Sequence, residues 1–222
     1  MKTLLLDVDG TLVDSFPGIR ACFLHALAEV DWPVPDEETI SGIAGPPMEQ
    51  TFRSLGMPEP MVKEAFTAYM AEYGQSGWRN SRPFPQMREL LDGWRDLDLR
   101  VSTATSKGES FARRTLQEYG MFEQLDFLGA AQEGGPRRTK AAVIAHVLDS
   151  LELRGEESEM LMVGDRSHDI EGAAEFNIPT VAVAWGYGTP EERAEADFIA
   201  EDPAELDQLV RAWVGGELAA KS

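Results

Sequence analysis

From Leu99 onward, short apolar runs alternate with stretches of helical spacing, and this alternation narrows the fold more than any other feature of the chain. Residues 99–105, 125–130, 160–163, 180–184 and 198–200 read as strands. Residues 110–119, 139–151, 170–176 and a stretch from about Pro203 read as helices. Such a pattern predicts parallel strands joined by right-handed crossovers. Residues 2–6 form one more strand, with Leu4, Leu5 and Leu6 consecutive as in a strand covered on both faces. That strand belongs to the same sheet, because an isolated strand leaves its backbone polar groups unpaired.

Between the first strand and the rest, residues 16–77 read as helices only. Ile19, Cys22, Phe23, Ala26, Leu27 and Val30 recur at helical spacing, with Asp14 or Ser15 as a cap and Pro17 in the first turn. Met61, Ala65, Ala68, Tyr69 and Glu72 extend a second helix. Gly42 to Pro47 is an irregular loop, since two prolines follow a glycine. The expected architecture is α/β: a parallel-sheet, Rossmann-like core from residues 1–15 and 83–222, with an inserted α-helical cap, residues 16–82, over the carboxyl ends of the strands.

The charge balance, 20 − 39 = −19, repels nucleic-acid phosphates and anionic membranes. An anionic substrate in such a field needs a local cation, from metal or lysine. Cys22 is the single cysteine, so no internal disulfide forms, which suits a reducing cytosol. No apolar run approaches a membrane span, and residues 1–6 are too short for a signal-peptide core. A soluble, cytoplasmic monomer or homodimer is the expectation.

The chemistry gathers where strands end. Asp7-Val8-Asp9-Gly10-Thr11 follows the first strand directly, at the end where open α/β sheets bind ligands. Two acids so close do not both stay ionised unless a cation sits between them. The pair implies a nucleophile with a general acid, a divalent-metal site, or both. Thr105 and Ser106 close another strand with hydroxyls that can hold phosphate oxygens beside helix amides, and Lys107 follows. Lys140 opens a helix, where the dipole disfavours a cation, so its amine is expected to answer a negative charge. Asp165 ends a further strand, and Asp169 lies about one helical turn on. Oxygen-only ligation by carboxylates suits Mg2+ rather than zinc. His168 is read as a solvent-facing loop residue, not a ligand.

Together these clusters resemble the haloacid dehalogenase superfamily of phosphohydrolases, whose four signatures appear in order: Asp7 to Thr11, Thr105, Lys140, and Gly164-Asp165 with Asp169. Asp7 through Ser15, Gly45-Pro46-Pro47, Thr105-Ser106-Lys107, Gly164 to Ile170 and Trp185-Gly186-Tyr187-Gly188 resemble phosphoglycolate phosphatases and bacterial 5′-nucleotidase-like relatives. Val8 replaces the commoner leucine or methionine. Arg138-Thr139-Lys140 lacks the Lys-Pro pair many phosphoglycolate phosphatases carry, which leans towards the nucleotidase-like branch.

The resemblance implies a small phosphorylated metabolite as substrate, Asp7 as nucleophile forming an aspartyl-phosphate, and Asp9 as general acid and base. It implies Mg2+ on Asp7, the Asp9 backbone carbonyl and Asp165, with Asp169 ordering the metal's water. Gly10, Thr11, Thr105, Ser106, Lys107 and Lys140 would then hold phosphate oxygens, and Gly45, Pro46 and Arg53 would face the leaving group. A sugar phosphomutase uses the same core chemistry. A dehalogenase needs no general acid, a phosphonatase needs a cap lysine where only Lys63 stands, and a phospho-aspartate receiver has no inserted helical lid.

Overall fold

The computed structural model describes residues 1–218 of this chain. Its central sheet is six-stranded and parallel throughout. The strands, in chain order, are β1 (Lys2–Leu6), then β4 (Leu99–Gly108), β5 (Phe127–Ala131), β6 (Met160–Gly164), β7 (Thr180–Val183) and β8 (Phe198–Ala200), arranged β5-β4-β1-β6-β7-β8. Two further strands, β2 (Val13–Asp14) and β3 (Arg82–Pro83), form a separate antiparallel ribbon. β1 lies between β4 and β6, so chain order reverses around it and Asp7 emerges at the switch point.

Leu4 and Leu6 pack on one face of the sheet with α5 (Met87–Trp94) and α10 (Pro203–Val214), whose Trp94, Val210 and Trp213 are buried there. Leu5 faces the other side, against Val143, Ile144 and Val147 of α7 (Lys140–Ser150) and Ala173 of α8 (Ser167–Ala174). Three consecutive leucines thus serve two cores, as the two-residue period of a strand requires. Outside the sheet, α6 (Glu109–Glu118) follows β4 and α9 (Pro190–Ala194) precedes β8.

The helices between β2 and β3 build a third core of their own. They are α1 (Phe16–Glu29), α2 (Glu37–Ser41), α3 (Met48–Ser54) and α4 (Glu59–Gln75). Phe23 stacks on Phe52 with ring centroids 5.7 Å apart, among Leu27, Ile40, Ile43 and Ala65. Phe111 of α6 joins this cluster and Tyr187 packs against it, so the helical segment and the sheet domain are in hydrophobic contact.

α4 forms where the second helix was expected, burying Val62, Ala65, Tyr69 and Tyr73 with Met61 and Ala68 partly buried against the same core. Several expectations need correction. α5 adds a helix that the sequence pattern does not announce, because it is short and polar-rich; it enters through Gln86 at φ 65°. Strand β5 spans Phe127–Ala131 instead of 125–130, and α8 begins at Ser167 instead of 170. Ser15 does occupy the N-cap position of α1 but makes no side-chain cap bond, because its hydroxyl donates to Asp9.

Candidate active site

Asp7 leaves β1 with its backbone N–H still paired to Val163 of β6 at 2.9 Å, so the sheet fixes the carboxylate at the strand end. Its oxygens meet Lys140 Nζ at 2.8 Å, and the same ammonium stands 2.7 Å from Asp169 and donates to the Ala104 carbonyl at 2.6 Å. Lys140 is the first residue of α7 and its side chain is 4% exposed. Burial alone would discharge the amine, but the charges of Asp169 and Asp7 outweigh it and hold its pKa above the ordinary value. A cation at a helix N-terminus is thus explained by the two acids it answers.

Burial pushes the Asp7 pKa up to about 6, opposed by Lys140 and reinforced by Asp169 and Asp9. Asp165 is raised well above the usual carboxylate range, again chiefly by burial, with Asp169 and Asp7 adding to it. Asp7, Asp165 and Asp169 each bring an oxygen within 4.8 Å of the others. Asp165 Oδ1 is buried with no hydrogen-bond partner, while Oδ2 accepts from the Tyr187 N–H at 2.6 Å. Asp169 Oδ2 accepts from the Asp165 and Arg166 N–H groups, both at 3.0 Å, which locks it into the first turn of α8. An orphaned buried carboxylate oxygen beside two further carboxylates fits a hard divalent cation, which wants oxygen ligands only. Gly10 makes room for this cluster: its φ is 88°, and a Cβ there would fall on the Asp165 carboxylate.

Asp9 faces a different partner. Lys107 Nζ donates to both its oxygens, at 2.8 and 3.1 Å, and to the Tyr73 hydroxyl at 2.6 Å. Ser15 Oγ donates to Asp9 Oδ1 at 2.6 Å. Lys107 can turn inward because the β4–β5 register slips between Thr105 and Gly108, a bulge that redirects the residues within it. The Thr105 hydroxyl accepts from the Lys107 N–H at 3.2 Å, which leaves its own proton free to donate.

One cavity of ≈ 290 Å³ takes in Asp7, Asp9, Thr105, Ser106, Lys107, Lys140 and Asp169 from the sheet side, and Gly45 and Pro46 from the helical side. Arg53 does not reach it. Its guanidinium pairs with Glu59 at 2.6 Å on the exposed surface, because α3 turns that side away from the sheet. Gly10 and Thr11 stand outside the cavity as well: Thr11 is fully buried and its carbonyl accepts from the Trp185 indole at 3.1 Å. Lys107 lines the cavity with its amine already committed to Asp9 and Tyr73. His168 lies in α8 and lines the cavity, not a solvent-facing loop. Lys63 is exposed on α4 and lies outside the cavity.

Three contributors had no role assigned from sequence; Tyr187 and Arg166 fall within its motifs, and Tyr73 falls outside them. Tyr73 sits one turn beyond Tyr69, and that i, i+4 aromatic pair was its only signal. Tyr187 accepts from the Ser15 and Phe16 N–H groups at 2.8 and 3.0 Å, joining the Trp185–Gly188 loop to the start of α1. Arg166 reaches the Ala44 carbonyl and Glu192, and nothing in its sequence context marked this role.

The tyrosine-protein kinase PtkA of Mycobacterium tuberculosis is 41% identical over 198 residues, 89% of this chain and 65% of its own. The chain therefore spans just under two thirds of that curated relative. A 5'-nucleotidase of Pseudomonas aeruginosa is 32% identical over 190 residues, 85% of each chain. The crystal structure of a predicted phosphatase from Clostridium acetobutylicum superposes with a TM-score of 0.88 at 27% identity, covering 95% of this chain and 98% of that one. Residues 4–183, from the first leucine of β1 to the last residue of β7, match the model for haloacid dehalogenase-like hydrolases, and the chain belongs to that family.

Proposed function

We propose that this chain is a Mg2+-dependent phosphatase that hydrolyses small phosphate monoesters through an aspartyl-phosphate on Asp7. The observation that carries the reading is the convergence of Asp7, Asp9, Thr105 and Lys140, from two separate strands and a helix start, on one cavity. A carboxylate oxygen of Asp7 attacks phosphorus as the bond to the ester oxygen breaks. Asp9 gives the departing alkoxide a proton, and then takes one from the water that cleaves the acyl phosphate. Thr105 and Lys140 hold non-bridging phosphoryl oxygens, and such electrostatic positioning supplies most of the catalysis in phosphoryl transfer. Asp7, the Asp9 backbone carbonyl, Asp165 and Asp169 would hold the metal, which when bound offsets charge on the phosphoryl oxygens.

Residues 16–82 act in this reading as a cap that selects the ester and excludes water. The reading places the chain in the cytoplasm, as monomer or homodimer. The test is phosphate release from a panel of metabolite monoesters with and without Mg2+. Magnesium-dependent release supports the proposal; no release from any ester overturns it.

The likeness to a mycobacterial tyrosine-protein kinase favours a second reading, in which Asp7 passes phosphate to a tyrosine hydroxyl instead of water. Labelled phosphate accumulating on protein tyrosine, with none released free, would select it.

A further inference from the structure

The cavity lining combines polar catalytic candidates, Asp7, Thr105 and Lys140, with an apolar and largely aromatic set. That set includes Phe66, Tyr69 and Met70 of α4, with Tyr73 and Phe111 edge to face, centroids 5.0 Å apart at 77°. The Tyr73 hydroxyl accepts from Lys107, so the aromatic set adjoins the polar groups directly. Phe66 and Met70 are only half-buried, although they pack against the helical core, so part of each is left for the cavity. The volume lies at the lower end of the range of about 300–1,000 Å³ typical of small-molecule sites, enough for a compact ligand.

The charges around this wall are already spent on one another. Lys107 faces Asp9, Arg138 pairs with Glu49 at 2.7 Å, and Arg166 pairs with Glu192 at 3.1 Å. Lys140 is held between Asp7 and Asp169. Among the described residues lining the cavity, every lysine and arginine therefore has a carboxylate partner, and Glu133 adds another acid to the rim. An alcohol carrying its own carboxylate would reach no lysine or arginine there without displacing an acid such as Glu49, which would leave a second negative charge close by. A flat aromatic ring would need no such exchange. It would bury apolar surface against Phe66 and Phe111 in the offset or edge-on contacts that rings prefer.

We propose that this site takes phosphate monoesters whose alcohol bears a flat aromatic group and no carboxylate. Phe66 and Phe111 hold the ring, and Glu49 keeps Arg138 from accepting a second anion. The inference rests on the phosphatase reading for its chemistry, and names the leaving group that reading left open.

The test compares kcat/KM for benzyl phosphate, ethyl phosphate and 2-phosphoglycolate, three esters of unactivated alcohols, in the presence of Mg2+. Benzyl phosphate should exceed 2-phosphoglycolate by about tenfold or more, the discrimination an apolar pocket commonly provides. Phe66→Ala should lower the benzyl-to-ethyl ratio, and Glu49→Gln should narrow the gap to 2-phosphoglycolate by freeing Arg138. A 2-phosphoglycolate rate equal to or above that of benzyl phosphate overturns the proposal, as does a gap that neither variant moves.

Calorimetry with the non-hydrolysable 2-phenylethylphosphonate and 3-phosphonopropionate separates recognition from turnover. Tighter binding of the phenyl compound while no ester is cleaved would sink the hydrolytic reading and leave this one standing. Tighter binding of the carboxylate compound, or binding of neither, overturns it whatever the turnover.

Discussion

Lys107 holds Asp9 by both carboxylate oxygens, at 2.8 and 3.1 Å, and is itself held by the hydroxyl of Tyr73 on α4. The residue proposed to move protons is thus oriented from the helical segment as well as from its own loop. Removing the ammonium leaves Asp9 free to turn. Lys107→Met should lower kcat by about 10²-fold for esters of poor leaving groups, in line with the usual worth of a positioned acid. The loss should shrink for 4-nitrophenyl phosphate, whose leaving group needs no proton, and Tyr73→Phe should show the same trend more weakly. Equal losses across leaving groups would contradict an orienting role.

Asp7→Asn removes the nucleophile while conserving shape. Phosphate release should fall to background, with an unchanged circular dichroism spectrum. Substantial retained turnover would dismiss Asp7 as the group that attacks phosphorus.

Lys140 neutralises two buried carboxylates at once. Lys140→Met strips that charge from Asp7 and Asp169, whose side chains are 12% and 4% exposed, and should destabilise the fold by about 3–5 kcal/mol. Urea denaturation without divalent cation measures this. Mg2+ should restore part of the loss, because it supplies positive charge to the same acids.

The Asp7 carboxyl titrates at about 6 in the folded chain against 3.8 for an unperturbed aspartate. Between those values the folded state keeps a proton that the unfolded state has lost, so this group's contribution to stability falls as pH rises through that window. In chelator, wild type should lose more stability than Asp7→Asn as pH climbs from about 4 to 6; the difference between the two isolates this group from the general repulsion of an acidic chain. Parallel pH profiles for the two proteins would disprove it.

The sheet was legible because short apolar stretches such as Leu4–Leu6 and Met160–Val163 alternate with helical spacing, and because Asp7 and Asp165 sit where two of them stop. Lys140 could be placed for a simple reason: a lysine at a helix start is unfavourable without an anion, and Asp7 and Asp169 supply two. Arg53 failed for the opposite reason. A basic residue near a suggestive loop has no directional signal, and only the turn of α3 shows that it meets Glu59 at the surface. Lys107 was legible as a site residue but not in its partner, since the bulge that aims it at Asp9 depends on how β4 and β5 pair. Tyr73 was not legible because alanines, tyrosines and methionines fall on several sides of α4, and spacing alone singles out none of them for the site.

The antiparallel ribbon of Val13 with Pro83 and Asp14 with Arg82 brings the departure and return of the polypeptide side by side. The strands lie about 4.8 Å apart, so a short turn would close the gap if the intervening helices were removed. The sheet and its cluster of acids would then need no new connection, which makes this ribbon a natural splice site for trading one set of helices for another while the phosphoryl chemistry beneath stays as it is.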